Sequence, residues 1–321
     1  MEPSSRRLFG KTLYSLAKPY LPSRMKPLLV ETVVQTRKIF GKADALPQFI
    51  IIGAQRSGST SLYDYLVEHP NVAPALHKEI HFFDSFYERG LAWYKAHFQA
   101  ADYLSANDLI TGEASPYYIL SHKAAARLAT DIPEAKIIAL LRNPINRAYS
   151  HHNLQLQRGH ETRSFAEAVK DEIEAYSKHS NLSFQAFREV YSKETYLSRC
   201  FYAAQLAVWF DYFPPEQILT LKSEDLYENR VATYQSALKF LGLPEWEPEQ
   251  FPIHEQMQYA PMSLEVRKQL IDFFAPHNER LDKLIGRDMQ WDRRGAPREE
   301  SKEPMERSVT DLLKTQSAFL L

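Results

Sequence analysis

One junction near the start of the chain restricts the fold more than any other feature. Phe49-Ile-Ile-Ile52 has the length and apolarity of a buried strand. It runs directly into Gly53-Ala-Gln-Arg-Ser-Gly-Ser-Thr60 and then Ser61-Leu-Tyr-Asp-Tyr-Leu66. A strand, a loop of small residues and a helix start in that order form a cradle for an anion. The loop N–H groups converge, and the helix dipole adds partial positive charge. The spacing from Gly53 to Gly58 matches the triphosphate-binding pattern G-x-x-x-x-G-K-[ST], but Ser59 stands where the lysine belongs. The nearby cation is Arg56, inside the loop. That lysine serves the β- and γ-phosphates, so its loss argues against ATP or GTP hydrolysis and for a different phosphate ester.

Further short apolar runs, Leu109-Ile110, Ile137–Leu141 and Ile218–Leu221, read as buried parallel strands. Helical stripes lie between them. Ser164 and Glu167 form a capping-box pattern ahead of Phe165, Val169, Ile173 and Tyr176. Leu197, Phe201, Ala204 and Val208 make a second stripe, and Val231, Tyr234, Leu238 and Leu241 a third, stopped by Gly242 and Pro244. Strands alternating with helices imply a three-layer α/β, P-loop-like fold with a central parallel sheet flanked by helices. Residues 47–292 are expected to form this domain, between an N-terminal arm (1–46) and a charged C-terminal tail (293–321).

The arm gathers Arg6, Arg7, Lys11, Lys18, Arg24, Lys26, Arg37, Lys38 and Lys42 against only Glu2, Glu31 and Asp44. Interspersed apolar residues predict short amphipathic helices broken at Pro19, Pro22 and Pro27, in peripheral contact with anionic lipid, packed on the domain, or left as a solvated leader or transit peptide. The whole chain carries 39 Lys and Arg against 40 Asp and Glu, so no global positive field exists to bind nucleic acid. Any anion site must be local. Cys200 is the only cysteine, which rules out an intramolecular disulfide and fits a reducing compartment. No apolar run reaches the roughly 18–20 residues of a membrane span, and no secretory signal is evident, so a cytoplasmic location is expected.

A second anion site follows the third strand. Arg142-Asn-Pro-Ile-Asn-Arg-Ala-Tyr-Ser150 places Asn143 as an N-cap and Pro144 at the first helical position. Arg142 is left at the carboxyl edge of the sheet, where α/β folds bind ligands, and Ser150 lies two turns into the helix. An arginine fork with a hydroxyl suits a phosphate monoester. Two such sites point to a ligand with phosphates at both ends.

With these motifs in order, the chain from Phe49 to Trp291 resembles the sulfotransferases that use 3′-phosphoadenylyl sulfate (PAPS), specifically their heparan-sulfate and carbohydrate branch and its bacterial relatives. The resemblance implies that Gln55, Arg56, Ser57, Gly58, Ser59 and Thr60 hold the 5′-phosphosulfate, and that Arg142 and Ser150 hold the 3′-phosphate. Lys78-Glu-Ile-His-Phe-Phe-Asp84 resembles the segment with the family's acidic catalytic residue, so Glu79 is the expected general base and Arg56 the stabiliser of the leaving phosphate. PAPS is the implied co-substrate and no metal is required.

The acceptor implied is a carbohydrate or glycolipid. Where the branch often carries a lysine used with the glycan, this chain has Ala114, and the branch's cysteine-stapled hairpin is missing, His254 to Met262 occupying its place. Ile80, Phe82 and Phe83 are expected to lower the polarity around Glu79 and raise its pKa. His81, His151, His152 and Glu113 are further candidates to reach ligand or acceptor. Two other readings remain at this level: a P-loop kinase or NTPase with an unusual loop, and a catalytically inactive nucleotide-binding protein.

Overall fold

The structure, a computed structural model, describes residues 25–40, 44–179, 186, 195–252 and 259–291. The expected helix breaks at Pro19 and Pro22, the charged tail and His254 lie outside the described residues. Five strands form one parallel sheet: β1 (Phe49–Gly53), β2 (Val72–Pro74), β3 (Ile110–Ala114), β4 (Lys136–Leu141) and β5 (Ile218–Lys222), in the order β2-β3-β1-β4-β5. Three of the expected strands appear with their bounds extended by a residue. The run at Leu109-Ile110 proves to be only the start of β3, which begins at Ile110 and whose later residues Thr111, Gly112 and Glu113 carry no apolar signal. The short edge strand β2 had none either.

Both faces of the sheet are covered, and the period-2 alternation of strand side chains divides them. Ile50, Ile52, Ile137, Ala139 and Leu141 enter the larger core, while Phe49, Ile51, Ile138 and Leu140 enter the smaller one. Helices α2 (Ser59–Glu68) and α10 (Arg230–Leu241) seal the smaller core through Leu62, Leu66, Tyr234 and Leu238. On the other side lie α5 (His122–Asp131), α6 (Pro144–Gln157), α8 (Tyr202–Phe210) and α11 (Leu264–Ile285). Short helices α3 (Leu91–Lys95) and α4 (Ala101–Ala106) precede β3, α7 (Phe165–Lys178) follows α6, and α9 (Ser223–Glu228) follows β5. Because β1 is followed by a helix on one face and its neighbour β4 by a helix on the other, their carboxyl ends diverge into a crevice, the place where such sheets take ligands.

The local signals work as expected at several ends. Ser164 and Glu167 close a full capping box, and Asn143 Oδ1 accepts from the N–H groups of Ile145 and Asn146 with Pro144 next in line. The stripe at Leu197 to Val208 is broken, however. Phe201 has ψ 62, which separates a short 3₁₀ turn (Ser198–Cys200) from α8 and leaves Ala204 exposed while Tyr202, Leu206 and Trp209 face inward.

Part of the arm is a helix, α1 (Lys26–Phe40), with Pro27 in its first turn, where a missing N–H costs nothing, rather than at a break. Val34 is fully buried in the larger core, and Arg37 donates to the carbonyls of Ala96 and Phe98. The opposite side of α1 is uncharged: Met25, Leu28, Thr32, Thr36, Ile39 and Phe40 share it at helical spacing, with Leu28 70% and Phe40 85% exposed. The hydroxyls of Thr32 and Thr36 bond back to the carbonyls of Leu28 and Thr32, which leaves little polar demand on that side.

Candidate active site

The loop between β1 and α2 forms the expected cradle. Gly58 has φ 92, a left-handed conformation that favours glycine, and a Cβ there would lie 2.8 Å from the Tyr227 hydroxyl. No side chain caps α2, so its first N–H groups face the loop. Ser57 is fully buried with its Oγ lacking a partner among the described residues, as does the Oε1 of Gln55. Buried polar atoms left unpaired in this way mark a place where a ligand can complete the bonding. The backbone of Ser57 is itself held by the hydroxyl of Ser223 at 2.7 Å.

Arg56 joins this cradle to the second motif. Its Nε donates to Ser150 Oγ at 3.1 Å, and its carbonyl accepts from Arg142 Nη1 at 3.0 Å. Tyr202 donates to the Arg142 carbonyl, and the Asn143 N–H donates to Glu224 Oε1, which fixes the turn after β4. The two anion motifs, 86 and 94 residues apart in sequence at these bonds, therefore form one continuous surface. Burial and then the neighbouring Arg142 charge pull the Arg56 pKa down. Two arginine charges that oppose each other in this way gain when an anion settles beside them.

Lys78 adds a cation that sequence reasoning considered only as a neighbour of Glu79. Its Nζ donates to Thr60 Oγ1 at 2.5 Å, from a segment 18 residues further along the chain. Nothing local in the sequence signals that contact, which depends on how the chain returns after β2.

The Lys78–Asp84 segment crosses the carboxyl end of β3 without being a strand: Glu79 has φ 58 and His81 φ 55. Their side chains meet nonetheless, with His81 Nε2 3.9 Å from Glu79 Oε2 and His81 Nδ1 3.0 Å from Asp84 Oδ2. Burial opposes the imidazolium, but hydrogen bonding and charge from Asp84 and Glu79 outweigh it and push His81 up to about 10. The Glu79 carboxyl is held below its ordinary range, first by the adjacent His81, and its side chain is 50% exposed. This corrects the expected upward shift: Ile80, Phe82 and Phe83 turn into the core rather than around the carboxylate. His81, Asp84, Ser85, Phe86 and Tyr117 line an open cleft of about 310 Å³ beside it. A larger depression of about 400 Å³ lies by β5 and the end of α11, away from these groups.

Three other candidates do not reach the cleft. Glu113 is fully buried inside β3, where it accepts hydrogen bonds from Tyr94, Ser115 and Tyr118, and burial pushes its carboxyl up. His151 and His152 are each 1% exposed, and His152 Nε2 bonds to the Arg163 carbonyl. Both face the helix packing around Tyr196, because α6 turns only its Ser150 side towards the crevice.

Residues 46–270 match the domain family described as the sulfotransferase domain. The chain belongs to the sulfotransferase family. A solved sulfotransferase from Alicyclobacillus acidocaldarius is 30% identical, with a TM-score of 0.58, covering 76% of this chain and 97% of that one. The membrane-associated sulfotransferase kil1 of Dictyostelium discoideum is 28% identical over 78% of this chain and 68% of its own length. The human bifunctional heparan sulfate N-deacetylase/N-sulfotransferase 3 is 30% identical over 75% of this chain, but only 30% of that larger protein is covered. The sheet and its flanking helices are thus those of a P-loop-like sulfotransferase, a family of enzymes, and the kinase or NTPase reading falls away.

Proposed function

We propose that this sulfotransferase moves a sulfuryl group from PAPS to a hydroxyl or amine of a carbohydrate or glycolipid acceptor. The observation that carries the reading is the joining of Arg142, Arg56 and Ser150 into one surface, together with the bond from Lys78, next to Glu79 of the Glu79–His81–Asp84 array, to Thr60 of the same loop. Buried Ser57 Oγ and Gln55 Oε1, without partners among the described residues, the left-handed Gly58 and Arg142 bonded to the Arg56 carbonyl suit a nucleotide with phosphate at both ends. PAPS supplies an activated sulfuryl group whose leaving group is a phosphate.

The chain's own residues divide the work. Gln55, Ser57, Gly58, Ser59 and Thr60 receive the 5′-phosphosulfate with Arg56, while Arg142 and Ser150 receive the 3′-phosphate. Lys78, drawn to Thr60, adds positive charge on the leaving side as negative charge builds on the bridging oxygen. Glu79, ionised at neutral pH, takes the acceptor proton as the acceptor oxygen or nitrogen bonds to sulfur and the sulfur–bridging oxygen bond breaks. Its proton can pass to solvent, since the side chain is half exposed. His81 keeps Glu79 oriented through charge, and Asp84 holds the imidazolium from behind.

A carbohydrate acceptor is supported by the relatives' names and by the open cleft with Phe86 and Tyr117, whose ring faces can pack on a sugar. A peripheral membrane position, on the cytoplasmic side that a lone buried thiol fits, is supported by the uncharged outer side of α1 and the basic residues ahead of it. The arm–domain–tail division at 46/47 and 292/293 remains part of this proposal. Incubation with ³⁵S-labelled PAPS and N-desulfated heparin, lactosylceramide or 4-nitrophenol tests the reading. Label on a glycan supports it, and label on the phenol alone would move the acceptor class.

A further inference from the structure

We propose that Glu113 is a positioning residue for the transfer site: it sets the hydroxyl protons that grip the Glu79–His81 segment from behind. The inference rests on the reading of that segment as the site of proton transfer. Glu79 and His81 both occupy left-handed backbone conformations, which non-glycine residues hold only when their surroundings impose them. The surroundings here are the end of β3 and the turn after it. Residues 79, 81 and 83 each donate a backbone N–H to that stretch. Glu79 donates to the Ala114 carbonyl at 3.0 Å, His81 to Ser115 Oγ at 3.2 Å and Phe83 to the Tyr118 hydroxyl at 3.3 Å.

Two of these three acceptors are hydroxyls, which accept an N–H only with a lone pair turned towards it. Glu113 enforces that orientation. Ser115 sends its proton to Glu113 Oε2 at 2.8 Å, and Tyr118 sends its own to Oε1 at 3.1 Å. The Tyr94 hydroxyl completes the set on Oε1 at 2.6 Å. A carboxylate can take all three protons at once. The amide of a glutamine would instead present N–H to one hydroxyl and turn that hydroxyl's own proton away, into competition with the backbone N–H of the gripped segment. The chain of influence thus runs from a fully buried carboxylate, through two hydroxyls, to the backbone that carries the base and its imidazole partner.

The test uses the full chain and reads His81 directly. Glu113→Gln, Ser115→Ala, Ser115→Thr and Tyr118→Phe would be compared for calorimetric affinity for 3′-phosphoadenosine 5′-phosphate and for the NMR titration of the His81 imidazole. The groups facing His81 are Glu79 and Asp84 from its own segment, and Tyr117, Tyr118, Ser115 and Glu113 from the other side. In the wild type the midpoint should lie near 10, because Asp84 and Glu79 hold the imidazolium. Ser115→Ala and Glu113→Gln should lower it by at least about one pH unit as the carboxylates drift from the ring, with nucleotide affinity within about threefold. Ser115→Thr, which keeps the hydroxyl, should restore the wild-type midpoint.

Ser115→Ala leaves the Glu113 charge in place, so its shift reports geometry, and it decides alone if Glu113→Gln does not fold. Wild-type midpoints in both variants would overturn the proposal and leave Glu113 a structural residue, even if melting temperatures fell. The titration needs no acceptor, so its outcome is separate from whether Glu79 is the base.

Discussion

Arg56 Nε donates to Ser150 Oγ across 3.1 Å, and this bond ties the loop after β1 to the helix after β4. The same arginine accepts Arg142 at its carbonyl, so the groups for the two ends of the nucleotide are mechanically one unit. A ligand that engages both ends is then favoured over one that engages either alone, because the second contact finds its partners already placed.

Glu79→Gln should retain nucleotide affinity and lose turnover. Glutamine preserves size and hydrogen bonding but accepts no proton, and loss of a general base costs on the order of 10²–10⁴-fold. Arg56→Ala should weaken binding and rate together, because its charge meets both ground and transition state. Single-turnover rates with labelled PAPS and an acceptor glycan separate the two. Glu79→Gln within about threefold of wild type would remove Glu79 from the chemistry.

The pH dependence has a definite sign. Glu79 acts unprotonated and its pKa is lowered from 4.5, so kcat/KM should hold at pH 5 and fall only below that range. His81 is raised from 6.5 to about 10. Its contribution to stability is present in full below pH 6.5 and lost as pH rises through about 10. Melting curves of wild type and His81→Gln should therefore differ more at pH 6 than at pH 10.5. An equal gap at both would mean that His81 is not held as a cation.

The outer side of α1 gives a separate test. Replacing Leu28, Ile39 and Phe40 together by serine should leave folding and nucleotide affinity unchanged, since all three are exposed. It should cut sedimentation with phosphatidylserine vesicles, where basic residues add about 1 kcal/mol each near the surface. No loss of vesicle binding, or none in the wild type, would return this side of α1 to ordinary solvent exposure.

What the sequence made legible was local. Strand β1, the loop to Gly58, the Asn143–Pro144 cap and the Ser164–Glu167 box all depend on residues within a few positions of one another, where spacing and residue type carry the physics. The contacts that assemble the site do not. Lys78 reaches Thr60 and Arg56 reaches Ser150 only through the crossover of the sheet. Glu113 reads in sequence as an acid able to reach ligand or acceptor, because burial of a carboxylate is invisible without its three hydroxyl partners. The shift at Glu79 runs opposite to the sequence expectation for a related reason. Alternating apolar neighbours suggested a greasy pocket, whereas two left-handed residues turn those side chains inward and bring His81 alongside.

The most direct test of the account is calorimetry with 3′-phosphoadenosine 5′-phosphate and AMP. The two nucleotides differ only in the 3′-phosphate that Arg142 and Ser150 are proposed to hold. Charge-assisted hydrogen bonds contribute about 1.5–3 kcal/mol each, so the bisphosphate should bind at least about tenfold tighter. Arg142→Ala should abolish most of that preference. Equal affinity of the wild-type protein for the two nucleotides would contradict the account at its centre.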